Sequence, residues 1–240
     1  MNLENTTAFI TGGNTGIGFG IAQALVAEGV NVAITSRSLD RAQEAADKIQ
    51  KLDKSKGKIM ALELDVKDFE AQKAAVAKVV KEWGKLDYFV ANAGVGHFAP
   101  IQDLSVEQWQ DTIDTNLTGV FYGIKASVDA LKETKGFFLT ISSLAGTNFF
   151  ANGSAYNASK FGVTGFTQAV MLDLRQEGIR VSTIMPGSVA TGFNDHKVDD
   201  SDAWKIQKED IGEIVVGLFK LDARTLPSKI EVRPSQTPKK

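Results

Sequence analysis

The sequence predicts an α/β fold: a single-domain, doubly wound parallel sheet of about seven strands with helices on both faces. Three observations lead there. Short apolar runs alternate along the chain with longer segments of helical period. A glycine-rich turn joins the first of these runs to the first helical segment. No low-complexity linker or fixed-period repeat divides the 240 residues, so residues 1–240 read as one domain. Parallel neighbours require a crossover, which a helix supplies, and right-handed crossovers distribute the helices over both faces.

Taken in order, the runs expected as strands are Thr7–Thr11, Asn31–Thr35, Lys58–Leu64, Asp87–Ala91, Gly136–Ile141, Arg180–Met185 and Lys229–Val232. After the glycine turn, Ile21, Ala24 and Leu25 mark the apolar side of a helix. Ser38 stands at an N-cap position, and Ala42, Ala45, Ala46 and Ile49 follow at i, i+3, i+4 and i+7. Ser105-Val106-Glu107-Gln108 has the form of a capping box and opens a long helix toward Glu133. Another helix opens around Tyr156. Asp195 to Lys208, polar and weakly periodic, reads as an inserted loop.

Composition narrows the function classes. The formal net charge is −2 with both signs dispersed, so no basic stripe points to nucleic acid and no polybasic segment to a membrane surface. The closing Lys239-Lys240 pair reads as a solvated tail. No run approaches the roughly 20 apolar residues of a membrane span, and no charged segment followed by an apolar stretch precedes Thr7. A cytoplasmic location is the expectation. With no cysteine there is no thiolate nucleophile or thiolate-ligated metal. His97 and His196 stand far apart without supporting ligands, so no metal site is expected.

The turn Thr11-Gly12-Gly13-Asn14-Thr15-Gly16-Ile17-Gly18 lets the chain reverse tightly and lets backbone N–H groups approach an anion. The helix N-terminus that follows adds partial positive charge, so a pyrophosphate suits this position. The spacing, Gly-x-x-x-Gly-x-Gly, differs from the common dinucleotide fingerprint. At the end of the second strand, an acidic residue would select the ribose hydroxyls of NAD, whereas an arginine pairs with a 2′-phosphate. Here Ser36 and Arg37 stand in that place, with no carboxylate before Asp40. NADP(H) is therefore the expected cofactor, NAD(H) the alternative.

Tyr156 and Lys160 are spaced i, i+4 and so share one helix face. A tyrosine hydroxyl ionises near 10, and a neighbouring ammonium favours the phenolate, bringing the group into the range of acid–base catalysis. Ser142 and Ser143 close the fifth strand thirteen or fourteen residues earlier.

With Thr11-Gly12-x-x-x-Gly16-Ile17-Gly18, Asp65-Val66, Asn92-Ala93-Gly94, Asn116, Ser143, Tyr156-x-x-x-Lys160 and Pro186-Gly187 in this order, the chain resembles the short-chain dehydrogenase/reductase family over nearly its whole length. The resemblance implies a Rossmann-type sheet of seven parallel strands with a nicotinamide cofactor across the strand ends. It implies Tyr156 as catalytic acid/base, Lys160 as the group that lowers its pKa and holds the nicotinamide ribose, and Ser143 as hydrogen-bond partner of the substrate oxygen. Asn116 would hold a water relaying protons from Lys160. Gly12, Asn14, Thr15, Gly16, Ile17 and Gly18 would surround the cofactor phosphates, and Asp65 with Val66 the adenine. Asn92, Ala93 and Gly94 would pass the adenosine ribose; Pro186, Gly187, Val189 and Thr191 would flank the nicotinamide. The implied reaction is hydride transfer between the cofactor and a small-molecule ketone, aldehyde or alcohol. A non-catalytic cofactor sensor is the competing reading, although a matched proton donor has no use in a sensor.

Two features depart from the family. The chain does not end in a glycine-rich strand, and the segment from Gly192 to Glu209 is short. Both leave the substrate open. Phe98, Phe149, Phe150, Phe193 and Trp204 fall in segments that the family places around the active site, an aromatic lining suited to an apolar carbonyl compound. Phe161, Gly162, Gly165, Phe166, Ala169 and Val170 make the helix after Tyr156 apolar over a wide arc. A homo-oligomer, dimer or tetramer, is expected.

Overall fold

Seven parallel strands in the order β3-β2-β1-β4-β5-β6-β7 form one sheet in the computed structural model, which describes residues 1–52 and 56–237. The strands are β1 Thr7–Ile10, β2 Asn31–Ser36, β3 Ile59–Glu63, β4 Tyr88–Ala91, β5 Phe137–Ile141, β6 Arg180–Pro186 and β7 Lys229–Val232. All seven coincide with the expected runs to within one residue at either end. The Lys239-Lys240 tail lies outside the described residues. Among the described residues, no helix is long and apolar enough to cross a membrane.

Helices α1 Gly16–Ala27, α2 Leu39–Gln50 and α7 Lys208–Lys220 cover one face of the sheet. The other is covered by α3 Phe69–Trp83, α5 Gly119–Thr134 and α6 Ser154–Leu174. Alternation along each strand divides the core. Ala8 and Ile10 of β1 pack with Ile21, Leu25 and Val215 on the first face, while Phe9 packs with Val76, Val79 and Ile124 on the second. Phe9, Phe89 and Phe138 sit at paired positions on β1, β4 and β5 and stack in series, with centroids 5.1 and 5.3 Å apart. This ladder binds the centre of the sheet, where the strand order reverses and a crevice opens at the strand ends.

Local signals account for the helix starts. The Ser38 hydroxyl accepts from Arg41 N, and Ala42, Ala45, Ala46 and Ile49 are all buried. The Ser105–Gln108 capping box is present and opens α4, Val106–Ile113. The single long helix expected from there is corrected: a π-helical turn, Asp114–Thr118, separates α4 from α5. One residue accommodated there changes the register and turns Asn116 inward, a use of π-turns common at functional sites. The stretch expected as an inserted loop is also more ordered than that. It holds a short 3-10 turn at Asp200–Asp202, and Ile206 bridges to Val189 in parallel.

α1 and α7 cross backbone to backbone. A Cβ on Gly20 would lie 2.3 Å from the Lys208 carbonyl oxygen, and one on Gly212 would lie 2.6 Å from the Gly20 oxygen. Gly217, on the same α7, has nothing within 4 Å of the equivalent point. We therefore expect Gly20→Ala to lower unfolding free energy by about 2–3 kcal/mol and Gly217→Ala to raise it by up to about 1 kcal/mol, read from urea midpoints.

Candidate functional site

β1 runs into the glycine turn, which is held in place by its neighbours. Asn92, directly after β4, spends both amide hydrogens on it, donating to the carbonyls of Thr11 (2.9 Å) and Gly12 (3.1 Å). The Thr11 hydroxyl in return accepts from the backbone N–H groups of Asn92 and Ala93. Gly18 could carry no side chain, since a Cβ would come within 2.5 Å of both Asn92 Nδ2 and the Gly12 oxygen. Gly12 and Gly16 have φ of +62° and +55°, in the left-handed region that glycine adopts at little cost.

The start of α1 differs from those of α2, α3 and α4. Side chains of Ser38, Asp68 and Ser105 cap α2, α3 and α4, whereas Thr15 makes no side-chain cap on α1 and no acidic residue lies in its first turn. Its first N–H groups therefore face the cleft available to an anion. A dinucleotide pyrophosphate fits this end of the site.

The cleft encloses about 970 Å³ along the C-terminal strand ends. Gly12, Asn14, Thr15, Gly16, Ile17, Ser36, Arg37, Asp65, Val66, Asn92, Ala93, Gly94, Ser143, Tyr156, Lys160, Pro186, Gly187, Val189 and Thr191 all line it. Two expected site residues do not. Gly18 lies beneath the turn as packing, and Asn116 is buried behind the wall with 1% exposure. Asp65 is on the wall, but one carboxylate oxygen already accepts from Lys67 N at 3.0 Å, the pattern of an Asx turn.

Ser143 stands on the Tyr156 side of the cleft, where its hydroxyl favours the phenolate form; it donates to the Pro186 carbonyl at 3.4 Å and accepts from Ala145 N at 3.1 Å. Ser142 points the other way: its hydroxyl donates to the Lys160 carbonyl and contacts Thr164 Oγ1 at 2.9 Å. Lys160 is 5% exposed, and its ammonium lies 5.6 Å from the Tyr156 ring centroid and donates to the Ile141 carbonyl at 3.0 Å. Burial holds Lys160 down at about 8. Tyr156 departs from the expected depression. Burial pushes its hydroxyl above the usual phenol value, and the nearby Ser143 hydroxyl offsets this only in part. The ammonium is directed at Ile141 rather than at the phenol oxygen, so desolvation of the phenolate dominates.

Asn116 ties three elements together. Its amide donates to the Val95 carbonyl (2.9 Å) and to Ser159 Oγ (3.0 Å), and its oxygen accepts from Val95 N at 2.8 Å. Ser159 passes its own hydrogen to the Tyr156 carbonyl. Both amide hydrogens of Asn116 are therefore committed to the frame that holds Tyr156 and Lys160.

Of the five aromatic residues expected near the site, Phe98 and Phe193 pack on the Tyr156 ring at 5.4 and 5.9 Å, and Phe150 packs on Phe98. Phe149 is 86% exposed, and Trp204 packs beside Lys205. The sequence reasoning missed Arg41, His97, Asp111, His196 and Lys205, all on the cleft wall. Arg41 lies in the first turn of α2, four residues after Arg37, and could have been found there. The others reach the cleft only through the tertiary fold.

Comparison with known proteins agrees with this geometry. The family model described as short chain dehydrogenase matches residues 6–202. Trans-4-hydroxycyclohexanecarboxylate dehydrogenase of Sinomonas cyclohexanicum is 41% identical over 187 residues, which cover 77% of this chain and 72% of that protein. Cyclohexanol dehydrogenase of Acinetobacter sp. (strain SE19) is 34% identical over 229 residues, covering 92% of this chain and 90% of that one. The alcohol dehydrogenase from the archaeon Thermococcus sibiricus, solved in complex with 5-hydroxy-NADP, superposes with a TM-score of 0.90 at 29% identity, covering 98% of this chain and 99% of that structure. With the sheet order, the uncapped first helix and the Ser143–Tyr156–Lys160 cluster already in place, the chain belongs to the short-chain dehydrogenase/reductase family of oxidoreductases.

Proposed function

We propose that this protein interconverts a ketone or aldehyde and the corresponding alcohol with NADP(H), using Tyr156 as the acid/base. The observation that carries this reading is the convergence of Ser143, Tyr156 and buried Lys160 on one cleft wall, with the Lys160 ammonium 5.6 Å from the Tyr156 ring centroid. A bound nicotinamide would supply or accept the hydride, and the chain's residues manage the proton. In the reductive direction Tyr156 donates its proton to the carbonyl oxygen while Ser143 donates a hydrogen bond to the same atom. In the oxidative direction Tyr156 accepts it. The raised phenol pKa keeps Tyr156 in the protonated, donor form before cofactor arrives. Lys160 stands over the ring to stabilise the phenolate left behind. Asn116, with both amide hydrogens engaged, supports this arrangement as a positioning residue.

Preference for the 2′-phosphate rests on Arg37 and Arg41, which line the same end of the cleft beside Ser36 and Ser38. Lys67 lies close enough to feel both Arg37 and Asp65. Two guanidinium groups beside two hydroxyls favour a dianion over a bare ribose. The Phe98–Phe193 enclosure of Tyr156 suits an apolar ring, and the cyclohexanol-type activity named for two relatives makes alicyclic secondary alcohols the first substrates to assay. Phe121 on α5 and Phe161 on α6 are exposed, which supports assembly of copies through these helices.

Three outcomes test the proposal. Tyr156→Phe removes the proton donor, so turnover of NADPH with cyclohexanone should fall roughly 10²–10⁴-fold or more, with NADPH affinity by fluorescence titration unchanged; retained turnover would refute the assignment. Arg37→Ala should weaken NADPH binding roughly tenfold or more and leave NADH binding nearly unaffected, and equal losses would remove the argument for a 2′-phosphate. Lys160→Met tests the burial of charge. Below pH 8 both folded and unfolded chains hold the proton, so the full desolvation cost, about 3 kcal/mol, is present. Between pH 8 and 10.5 the unfolded chain keeps the proton longer, so wild-type stability rises there. The variant should therefore be more stable than wild type at pH 7 by about 2 kcal/mol, after loss of the bond to Ile141. Urea melts should show that gap closing as pH approaches 10.

A further inference from the structure

The glycine turn, Thr11 to Gly18, contains no lysine or arginine, and the helix start beyond it carries only about half a positive charge. Arg37 and Arg41 stand at the other end of the cofactor cleft, after β2. A pyrophosphate with two negative charges would thus meet no full positive charge from these elements. A lysine from the segment beyond β6 also lines the cleft, beside a histidine.

His196 and Lys205 both form part of the cleft wall. Asp202, 3% exposed, joins them: Lys205 Nζ lies 2.5 Å from Asp202 Oδ1, and His196 Nε2 lies 2.6 Å from Oδ2. These partners hold the Asp202 carboxyl down at about 2, so it remains an anion. Lys205 is restrained in the cleft wall with 19% of its side chain exposed; its ammonium meets Asp202 and lies 3.4 Å from His196 Nε2, which leaves a third hydrogen for a ligand.

The main chain around this cluster is fastened beside the glycine turn. Ile206 N donates to the Ser188 oxygen, and Ala190 N donates to the Ile206 oxygen, so residue 205 is fixed alongside 188–191. Thr191 is the nearest neighbour of Gly16, 3.4 Å from where a Cβ would stand. Two residues past Ile206, Lys208 lies over the Phe19 ring of α1 at 5.9 Å.

We infer that Lys205, held in place by Asp202 and His196, is a ligand of the cofactor pyrophosphate and adds a charge-assisted hydrogen bond to the backbone N–H groups of the glycine turn. The inference rests on a dinucleotide occupying the cleft and is independent of the choice between NADP(H) and NAD(H). Its chemistry separates it from Arg37, because a pyrophosphate ligand serves both dinucleotides and a 2′-phosphate ligand serves one.

The test is a set of binding titrations on the full chain with NADPH, NADH, ADP-ribose and adenosine 2′-phosphate. Lys205→Met should weaken the first three together, by roughly tenfold or more for a lost charge-assisted hydrogen bond, and leave adenosine 2′-phosphate within twofold of wild type. Lys205→Arg, which keeps the charge, should bind the three within about threefold of wild type by the same reasoning. Unchanged ADP-ribose affinity in Lys205→Met would overturn the inference. So would an equal loss on all four ligands, or a loss seen only with a carboxylate-bearing substrate, since these would place Lys205 in a structural or substrate-binding role. A wild type that binds neither dinucleotide would overturn this inference and the proposed function together.

Discussion

The clip between Asn92 and the glycine turn is the contact on which the site depends. β1 and β4 are sequence-distant neighbours at the point where strand order reverses, and a crevice forms there because their connections leave on opposite faces. A turn in that crevice without side chains would be free to move. Two amide hydrogens from Asn92, and two N–H groups received by Thr11, fasten it to β4. Gly18 lets the turn close onto Asn92 without a gap. Below them the Phe9–Phe89–Phe138 ladder keeps the same three strands in register. The exposed start of α1 therefore points into the cleft as a fixed feature.

The catalytic end is built on the opposite principle. There the protein retains a buried ammonium whose burial opposes folding, and surrounds it with a frame that prevents rearrangement. Lys160 is anchored to Ile141, Ser142 is turned away toward Thr164, and Asn116 links the strand-end strap at Val95 to α6 through Ser159. The π-turn at Asp114–Thr118 makes that link, since it turns Asn116 inward between α4 and α5. Desolvation is concentrated where the chemistry takes place, and the aromatic pair Phe98 and Phe193 screens the Tyr156 ring.

Between these two ends the charges are arranged by position along the cleft. Arginines lie after β2, an uncapped helix start lies at the centre, and the Lys205–Asp202–His196 cluster comes from the segment after β6. Each sits on an element held by backbone pairing, which limits how far the charges can drift before a ligand arrives.

The sequence by itself determined the strands, the cap at Ser38, the capping box at Ser105, the glycine turn and the Tyr156–Lys160 spacing. These are local matters of periodicity, φ and helix geometry, and a short window contains all the atoms involved. Only the tertiary structure decided that Ser142 is spent on the Lys160 carbonyl and Thr164, because that depends on how β5 meets α6. It also decided that Asn116 sits behind the wall as a tie, that the Lys160 ammonium turns to Ile141 and leaves the Tyr156 pKa raised, and that Asp202 brings His196 and Lys205 to the cleft. Desolvation and charge convergence depend on atoms dozens of residues apart. For that reason the Tyr156–Lys160 spacing was legible in one dimension, while the direction of the Tyr156 shift was not.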